Sequence, residues 1–249
     1  MRAPAPSPVR SRTALVAMLL AAELVLAGMI VEALHPSAFW AGWQSRPAFP
    51  AMPQPLFAGI SPTVEIDDSD GSVSVVASAD GNVHASGSGS SISHIANGVR
   101  VTSDSHIEVA VPRGTHLVIE HCDGATITGA LSGLDVQSDD GSIVASGLDL
   151  RGVNATLHSD SGSVTVSGRF GPGGNYDFSS DDGSITVALA SGSDAAIDAS
   201  TNDGNVEIDG QSASGDDAAS LTARAGSGSS EMRVHAQDGS IRITTNGAM

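Results

Sequence analysis

Histidine and cysteine side chains are the residues of this chain best suited to metal or redox chemistry. His116, His121 and Cys122 lie close together, but strand alternation would place His116 and Cys122 on one side and His121 on the other. His158 and His235 occupy the same position of a sequence repeat, yet they are several repeat units apart. Because the ligands of a transition metal must converge on one point, we predict no metal site among these residues.

No motif of a known catalytic site accompanies these residues. The chain lacks a Gly-x-Ser-x-Gly elbow, a phosphate-binding glycine loop and a His-Glu-x-x-His helix. Its one cysteine, Cys122, excludes an intrachain disulfide and any multi-cysteine metal site. We therefore predict no catalytic residue, no cofactor and no metal ligand.

Aspartate is abundant beside a set of regularly spaced glycines. One group directly precedes these glycines and a second lies one place earlier: Asp140, Asp182 and Asp203, and Asp139, Asp160 and Asp181. One interpretation is a row of solvated turns, since Asp-Gly suits the positive dihedral angles of tight turns. The other is calcium bridging between repeats, because hard cations prefer oxygen ligands. The chain lacks the Gly-Gly-x-Gly-x-Asp calcium repeat, and an unchanged melting temperature with and without calcium would exclude bridging.

The glycines mark a 21-residue repeat that runs from Leu134 to Asp217. Four turn glycines follow one another at this spacing: Gly141, Gly162, Gly183 and Gly204. Each turn joins two short segments in which only alternate positions are apolar, so each segment has a buried side and an exposed side. A fixed period of this length indicates a solenoid or a similar array. The predicted fold is therefore all-β, a single-stranded β-solenoid with rungs of about 21 residues.

Aligning the repeats on their turn glycines arranges the apolar residues in four columns. The columns contain Leu117, Leu134, Ala155, Tyr176, Ile197 and Met232; Ile119, Val136, Leu157, Phe178, Ala199 and Val234; Ile143, Val164, Ile185, Val206 and Ile241; and Ala145, Val166, Val187, Ile208 and Ile243. A column of hydroxyl residues is expected to point inward and to satisfy buried backbone groups: Ser138, Ser159, Ser180 and Thr201. Gly124 departs from the spacing, which predicts a bulge or a register change. Residues 209–231 are predicted to form an excursion loop before the last rung.

The charge of the chain excludes one large class of partners. The formal net charge is -17, and lysine is absent. A surface of this kind repels nucleic acid and anionic lipid headgroups, so nucleic-acid binding is excluded. Aromatic residues are only 3% of the chain, and most of them precede residue 58. The repeats must therefore bury small and β-branched side chains, as thin stacked coils do.

The first 62 residues differ from the repeat domain at 63–249. Residues 1–12 form an arginine-bearing arm, 13–34 a transmembrane helix of the signal-anchor type, and 35–62 a proline-rich linker. Since the arginines precede the span, the positive-inside rule predicts a cytoplasmic N-terminus and a periplasmic or extracellular repeat domain. A cleaved signal peptide is the alternative. Glu23 inside the span raises the hypothesis of pairing with another membrane helix.

The start of the repeat domain resembles a known family. The segment HIEVAVPRGTHLVIEHCDGATITG contains an apolar-x-apolar-Pro-x-Gly pattern at Val109, Val111, Pro112 and Gly114, and rungs of the Ser-x-x-Gly-x-apolar type follow it. This pattern is similar to the bacterial "putative adhesin" or toast-rack β-strand repeat domains, over roughly residues 63–245. The resemblance implies an extracytoplasmic single-stranded β-solenoid with envelope or surface roles. It implies no catalytic residues.

These features favour a membrane-anchored, non-enzymatic scaffold or interaction module of the bacterial envelope. Its expected partner is an envelope protein or a surface ligand, and a homo-oligomer is an open alternative. A polysaccharide-acting β-helix enzyme is a further alternative, but it needs paired carboxylates, basic residues in a cleft and aromatic residues for sugar stacking. The third alternative is a coil that polymerises end to end through uncapped rungs.

Overall fold

A computed structural model describes residues 62–79, 81–215 and 218–245 of the protein. These residues form β-strands joined by turns, and none of them is helical, which confirms the predicted all-β class. A helix that could cross a bilayer is accordingly not found in this part of the chain. The predicted arm, membrane span and nearly all of the linker lie outside the described residues.

The strands, numbered in chain order, pair in two sheets. Sheet A contains, in spatial order, β4 (Ser91–Ile95), β5 (Gly98–Ser103), β1 (Thr63–Asp68), β7 (His116–Cys122), β9 (Gly133–Ser138), β11 (Ala155–Ser159), β13 (Asn175–Ser180), β18 (Glu231–Asp238), the first half of β15 (Ala195–Ile208) and β17 (Ala219–Ala225). Sheet B contains, in the matching order, β3 (His84–Ser86), β6 (Ile107–Pro112), β2 (Val73–Ser78), β8 (Ala125–Thr128), β10 (Ile143–Arg151), β12 (Val164–Gly171), β14 (Ile185–Leu189), β19 (Ile241–Thr244), the second half of β15 and β16 (Gln211–Gly215).

One strand of sheet A and the following strand of sheet B form a coil. Within each sheet the strands of successive coils are parallel, as required when the chain always crosses from one sheet to the other in the same sense. Apolar side chains alternate with outward polar ones, so β11 and β13 bury every second residue. The inward residues fill the space between the sheets with Val, Ile, Leu and Ala.

The predicted columns are confirmed by the strand register. Leu134, Ala155 and Tyr176 are directly paired in sheet A, and Ile143, Val164 and Ile185 are paired in the same way in sheet B. The 21-residue spacing therefore holds through these three coils. Val64 and Val73 extend the columns toward the N-terminal side, where Val64 pairs with Leu117 and Val73 with Ala125.

The spatial order of the last two coils differs from their order in the sequence. Met232 of β18 lies between Tyr176 and Ile197, so the final coil is inserted ahead of the coil formed by β15. The predicted excursion loop at 209–231 is wrong, because this segment contains β16 and β17, which pair antiparallel with the two halves of β15. These strands cover backbone groups that the last parallel coil would otherwise expose at its edge.

The N-terminal side has the same arrangement in reverse. The coil of β5 and β6 is nearer the end of the stack than the coil of β1 and β2, because β1 lies between β5 and β7. Strands β3 and β4 pair antiparallel with β6 and β5. The described stack thus ends on both sides in short antiparallel strands, and the coils next to both ends do not follow the order of the sequence.

The large rings of the repeat domain lie together near the C-terminal side of the stack. Phe170, Tyr176 and Phe178 are fully buried. The ring centroid of Phe170 is 5.0 Å from that of Tyr176 and 6.2 Å from that of Phe178, in edge-to-face geometry. The Tyr176 hydroxyl donates to the Leu150 carbonyl at 2.7 Å, so its polar atom is satisfied inside the core.

The irregularity predicted near Gly124 is confirmed as a bulge in β7. The register against β9 shifts between Ile119 and Cys122, and His121 has a φ of 57°. His116 precedes the bulge and is exposed; the extra residue then reverses the alternation, so His121 is exposed as well and Cys122 is buried. The expectation that His116 and Cys122 share a side is therefore wrong.

Candidate functional site

The turns that lead from sheet A to sheet B stack along one edge of the molecule. We call this edge the turn edge; its members are residues 104–106, 69–72, 123–124, 139–142, 160–163, 181–184, 237–240 and 202–205. Backbone hydrogen bonds hold successive turns in register. The amide of Asp160 donates to the backbone carbonyl of Ser138 at 3.0 Å, and the amide of Asp181 donates to the backbone carbonyl of Ser159 at 3.0 Å. Equivalent side chains of neighbouring turns are therefore about one strand spacing, roughly 4.8 Å, apart.

The turn glycines are required for close approach. A Cβ on Gly162 would lie 2.1 Å from the carbonyl oxygen of Gly141, and one on Gly183 would lie 2.1 Å from that of Gly162. These three glycines do not have positive φ angles, in contrast to Gly204 at 153°. The interpretation of all the turn glycines by positive dihedral angles is thus wrong, because the neighbouring backbone occupies the space of a side chain.

The predicted column of inward hydroxyls is confirmed. Ser138, Ser159, Ser180 and Thr201 are at most 1% exposed. Ser159 donates to the Gly141 carbonyl at 3.0 Å, Ser180 donates to the Gly162 carbonyl at 2.8 Å, and the Gly162 amide donates to Ser159 at 2.9 Å. Each hydroxyl satisfies turn groups that water cannot reach, which links one coil to the next.

Asp68 takes the place of a hydroxyl residue in this column. It is in register with Ser103, its side chain is 0% exposed, and neither carboxylate oxygen has a hydrogen-bond partner among the described residues. Burial raises the pKa of Asp68, the carboxylates of Asp123 and Asp104 raise it further, and the Asp70 backbone N–H and His106 act against this rise. The Asp70 N–H approaches the carboxylate without forming a hydrogen bond, so it offsets only part of the desolvation of a charge here.

Replacing Asp68 by serine is expected to stabilise the protein at neutral pH. A carboxyl with a pKa that is higher in the folded chain binds its proton more readily there, so wild-type stability decreases as pH rises above the unfolded value of about 3.9. The advantage of Asp68→Ser should therefore be largest at neutral pH and shrink toward pH 4. Urea unfolding at several pH values measures it, with Asp70→Ser in the exposed part of the same turn as the control. A pH-independent difference, or a less stable Asp68→Ser protein, would contradict the prediction.

Aspartates on the turn edge form an outward row that ends part of the way along the stack. Asp139, Asp160 and Asp181 occupy equivalent places in three consecutive coils. The register of β13, β18 and β15 places Gln237 and then Asn202 at the same position in the next two coils. The carboxylate row therefore ends where the exchanged coil is inserted.

Histidines lie beside this row at two places: His121 Nδ1 is 3.9 Å from Asp139 Oδ2, and His158 is closer to Asp160. His158 and Asp160 flank the inward Ser159, and His158 Nε2 lies 2.7 Å from Asp160 Oδ1. Together with Asp181 of the next coil they offer three ligand atoms that all lie within 4.8 Å of one another. His158 Nδ1 is 2.9 Å from the Ser179 hydroxyl, which orients the ring. These residues could hold a metal ion, a convergence that the positions of histidine and cysteine alone do not indicate.

A second histidine lies in the same column closer than the sequence indicates. His158, Ser179 and His235 are successive partners on β11, β13 and β18, so one strand separates the two histidines. His235 Nδ1 is 3.1 Å from the Ser200 hydroxyl of the following coil. The expectation that His158 and His235 lie several rungs apart is wrong because the coil of β18 is inserted beside β13.

A shallow groove crosses the far ends of β10, β12 and β14. It has a volume of about 410 Å³ and is lined by Gly147, Leu148, Asp149, Ser167, Gly168, Arg169, Ala188, Leu189 and Ala190. Asp149 is its one carboxylate among these residues, and that group is bound by Arg151 at 2.6 Å. Hydrogen bonding and charge from Arg151 hold the pKa of Asp149 below its ordinary value, so it remains ionised.

Comparisons with known proteins found similarity to solved structures and not to a family model or a curated protein. No protein-family model matches the chain, and no curated protein is similar to it. Two solved structures are similar: a "putative cell adhesion protein" from Clostridium sporogenes (10% identity, 75% of this chain and 93% of that one, TM-score 0.33) and a "putative adhesin" from Bacteroides fragilis (13% identity, 74% and 93%, TM-score 0.35). Both names agree with the adhesin-like resemblance of the sequence.

Proposed function

We propose that this protein is a non-catalytic, adhesin-like scaffold or protein-interaction module of the bacterial envelope. In this proposal the coils form a β-solenoid with exchanged coils at both ends, and residues 13–34 anchor it in the cytoplasmic membrane with the repeat domain outside. The observation that carries the proposal is the division between inside and outside. Side chains fill the space between the sheets, while polar residues in fixed register form the outer surface.

An enzyme that cleaves polysaccharides fits the described residues less well. Glycoside cleavage uses two carboxyl groups flanking the scissile bond. The groove across β10, β12 and β14 presents a single carboxylate, Asp149, which is held by Arg151. The described part of the chain offers this groove no aromatic ring for sugar stacking, because Phe170, Tyr176 and Phe178 are buried in the core.

End-to-end polymerisation is also disfavoured by the described strands. A coil that continues from one molecule into the next needs a parallel strand edge at each end of the stack. Here β3 and β4 cover one end and β16 and β17 cover the other, all running antiparallel to their neighbours. Light scattering of the purified protein should show a monomer at all concentrations.

Affinity capture from native membranes tests the interaction function. Full-length protein is crosslinked in cells, and a control chain carries residues 1–62 in front of an unrelated folded domain. We expect a defined envelope protein or surface ligand to be recovered with the full-length chain and not with the control. Equal recovery by both chains would mean that the repeat domain is not the interaction module.

Protease accessibility tests the anchor and its orientation. In spheroplasts, added protease should reach the repeat domain while the tagged N-terminus stays protected, and the protein should resist extraction by alkaline carbonate. A soluble, N-terminally shortened product would instead show that the segment at 13–34 is a cleaved signal peptide.

A further inference from the structure

We propose that His158, Asp160 and Asp181 bind one divalent transition-metal ion of the zinc class, which joins two neighbouring coils. The site lies on the turn edge and uses residues from two coils that share strand register, β11 and β13. It is independent of the proposed scaffold function, which needs no metal.

The geometry of the three ligand atoms fits a small cation. All three lie within 4.8 Å of one another, and the closest pair, His158 Nε2 and Asp160 Oδ1, is at 2.7 Å. Tetrahedral zinc with ligand distances near 2.1 Å separates its ligand atoms by about 3.4 Å. Asp160 and Asp181 are both exposed at the ends of their strands, so small side-chain rotations bring their oxygens to this spacing.

The orientation of the imidazole favours ligation through Nε2. Nδ1 faces the Ser179 hydroxyl at 2.9 Å. When Nδ1 carries the ring proton and donates a hydrogen bond to the Ser179 hydroxyl, the lone pair of Nε2 points toward the two carboxylates. An outer hydrogen bond of this kind is the usual support of a metal-binding histidine, since it fixes both tautomer and ring position.

An ion pair between His158 and Asp160 accounts for only part of the arrangement. It uses one carboxylate, and within the described residues the Asp181 carboxylate has no ion pair or side-chain hydrogen bond of its own. Two adjacent carboxylates beside one imidazole leave excess negative charge in a chain whose net charge is already -17. A divalent cation balances both carboxylates at once.

The structure contains a matched position that lacks the carboxylates. His235 occupies the same column as His158 and contacts the Ser200 hydroxyl as His158 contacts Ser179. The residues that correspond to Asp160 and Asp181 are Gln237 and Asn202. The imidazole and its hydroxyl partner therefore belong to the repeat, whereas the two carboxylates distinguish the proposed site.

The mixed donor set selects the class of ion. Imidazole nitrogen suits zinc and its neighbours among the transition metals, while calcium and magnesium prefer oxygen ligands throughout. With three ligands from the protein, the fourth position of a tetrahedral ion would hold water. This site differs from calcium bridging along the whole row of aspartates, because His158 brings a nitrogen to 2.7 Å from a carboxylate of the row, whereas His121 Nδ1 stays 3.9 Å from Asp139 Oδ2.

Titration calorimetry with zinc chloride tests the site on full-length protein purified without a polyhistidine tag. We expect one equivalent of zinc per chain, and no comparable heat from calcium chloride. Asp160→Asn and Asp181→Asn should each weaken binding at least tenfold, and His158→Ala should abolish the site. His235→Ala is the matched control and should bind zinc as the wild type does. Nuclear magnetic resonance should show shifts of the His158 ring and not of the His235 ring.

A constructed second site makes the test stricter. Replacing both Gln237 and Asn202 by aspartate should add a second equivalent of zinc at His235. Unfolding curves recorded without metal should be unchanged for Asp181→Asn and for the protein substituted at Gln237 and Asn202, since these side chains are exposed. The proposal is overturned if the wild type binds no stoichiometric zinc, if Asp160→Asn binds as tightly as the wild type, or if the doubly substituted protein gains no equivalent.

Discussion

Replacement of Gly162 by alanine is expected to destabilise the protein by about 3 kcal/mol or more, at the upper end of what overpacking costs. The new Cβ would lie 2.1 Å from the Gly141 carbonyl oxygen and 2.8 Å from the Ser159 hydroxyl. A flexible side chain could move away, but the obstructing atom belongs to a backbone that the amides of Asp160 and Ser161 hold in register. The turn must therefore move as a unit, or the adjacent coils must separate.

Gly147→Ala is the matched control for Gly162→Ala. Gly147 has a φ of 63°, and a Cβ there would have nothing within 4 Å. Its replacement should lower the unfolding free energy only by the cost of the left-handed backbone conformation, about 1–2 kcal/mol. Urea unfolding of both variants measures the difference. Equal destabilisation of the two would mean that backbone conformation, and not contact between coils, explains the turn glycine.

Replacement of Phe170 by alanine is expected to cost about 3–5 kcal/mol, as for other fully buried aromatic residues. Phe170 is 0% exposed and packs edge-to-face against both Tyr176 and Phe178. The surrounding residues are small or held in strand register, so they cannot collapse into the vacated space. The loss should therefore include a cavity contribution as well as the lost burial.

Val144→Ala provides the control for Phe170→Ala. Val144 lies on β10 of the same sheet but is 37% exposed, so its truncation should change the unfolding free energy by no more than about 0.5 kcal/mol. Chemical denaturation followed by circular dichroism measures both variants. A loss below about 1.5 kcal/mol for Phe170→Ala would show that the stack relaxes around this ring more easily than its packing indicates.

The two predictions concern the two kinds of contact that hold one coil to the next. At the turn edge, backbone approaches backbone and the inward hydroxyls of Ser159 and Ser180 satisfy the turn groups. Between the sheets, large and small side chains of neighbouring coils fill one continuous core. Because each coil contacts mainly its neighbours, a local defect of either kind is expected to weaken the whole stack.

The local features of the repeats could be predicted because they depend on periods of two and 21 residues. Alternation separates inward Leu157 from outward His158, and the 21-residue spacing brings Ala155 beside Tyr176. The same two rules contain the cluster of His158, Asp160 and Asp181, since Asp160 is two residues after His158 and 21 before Asp181. The positions of the histidines and the cysteine do not indicate the cluster, because two of its three ligands are aspartates.

The bulge in β7 shows where alternation fails. One extra residue between Ile119 and Cys122 turns His121 outward and Cys122 inward, so Cys122 no longer shares a side with His116. The unusual position of Gly124 indicates an irregularity, but it does not indicate which residue is added. That choice depends on how β7 meets β9 across the sheet, which is a tertiary contact.

The all-β class, the apolar columns and the inward hydroxyls can be read from the sequence, because each follows from the local geometry of strands and turns. The order of the coils depends on tertiary contacts and cannot be read in this way. Met232 and Ile197 both fit beside Tyr176, since parallel coils with the same column pattern accept either neighbour. The choice is made at the ends of the stack, where β16 and β17 must pair antiparallel with β15 to cover its edge. This insertion brings His235 within two strands of His158 and ends the row of aspartates at Asp181.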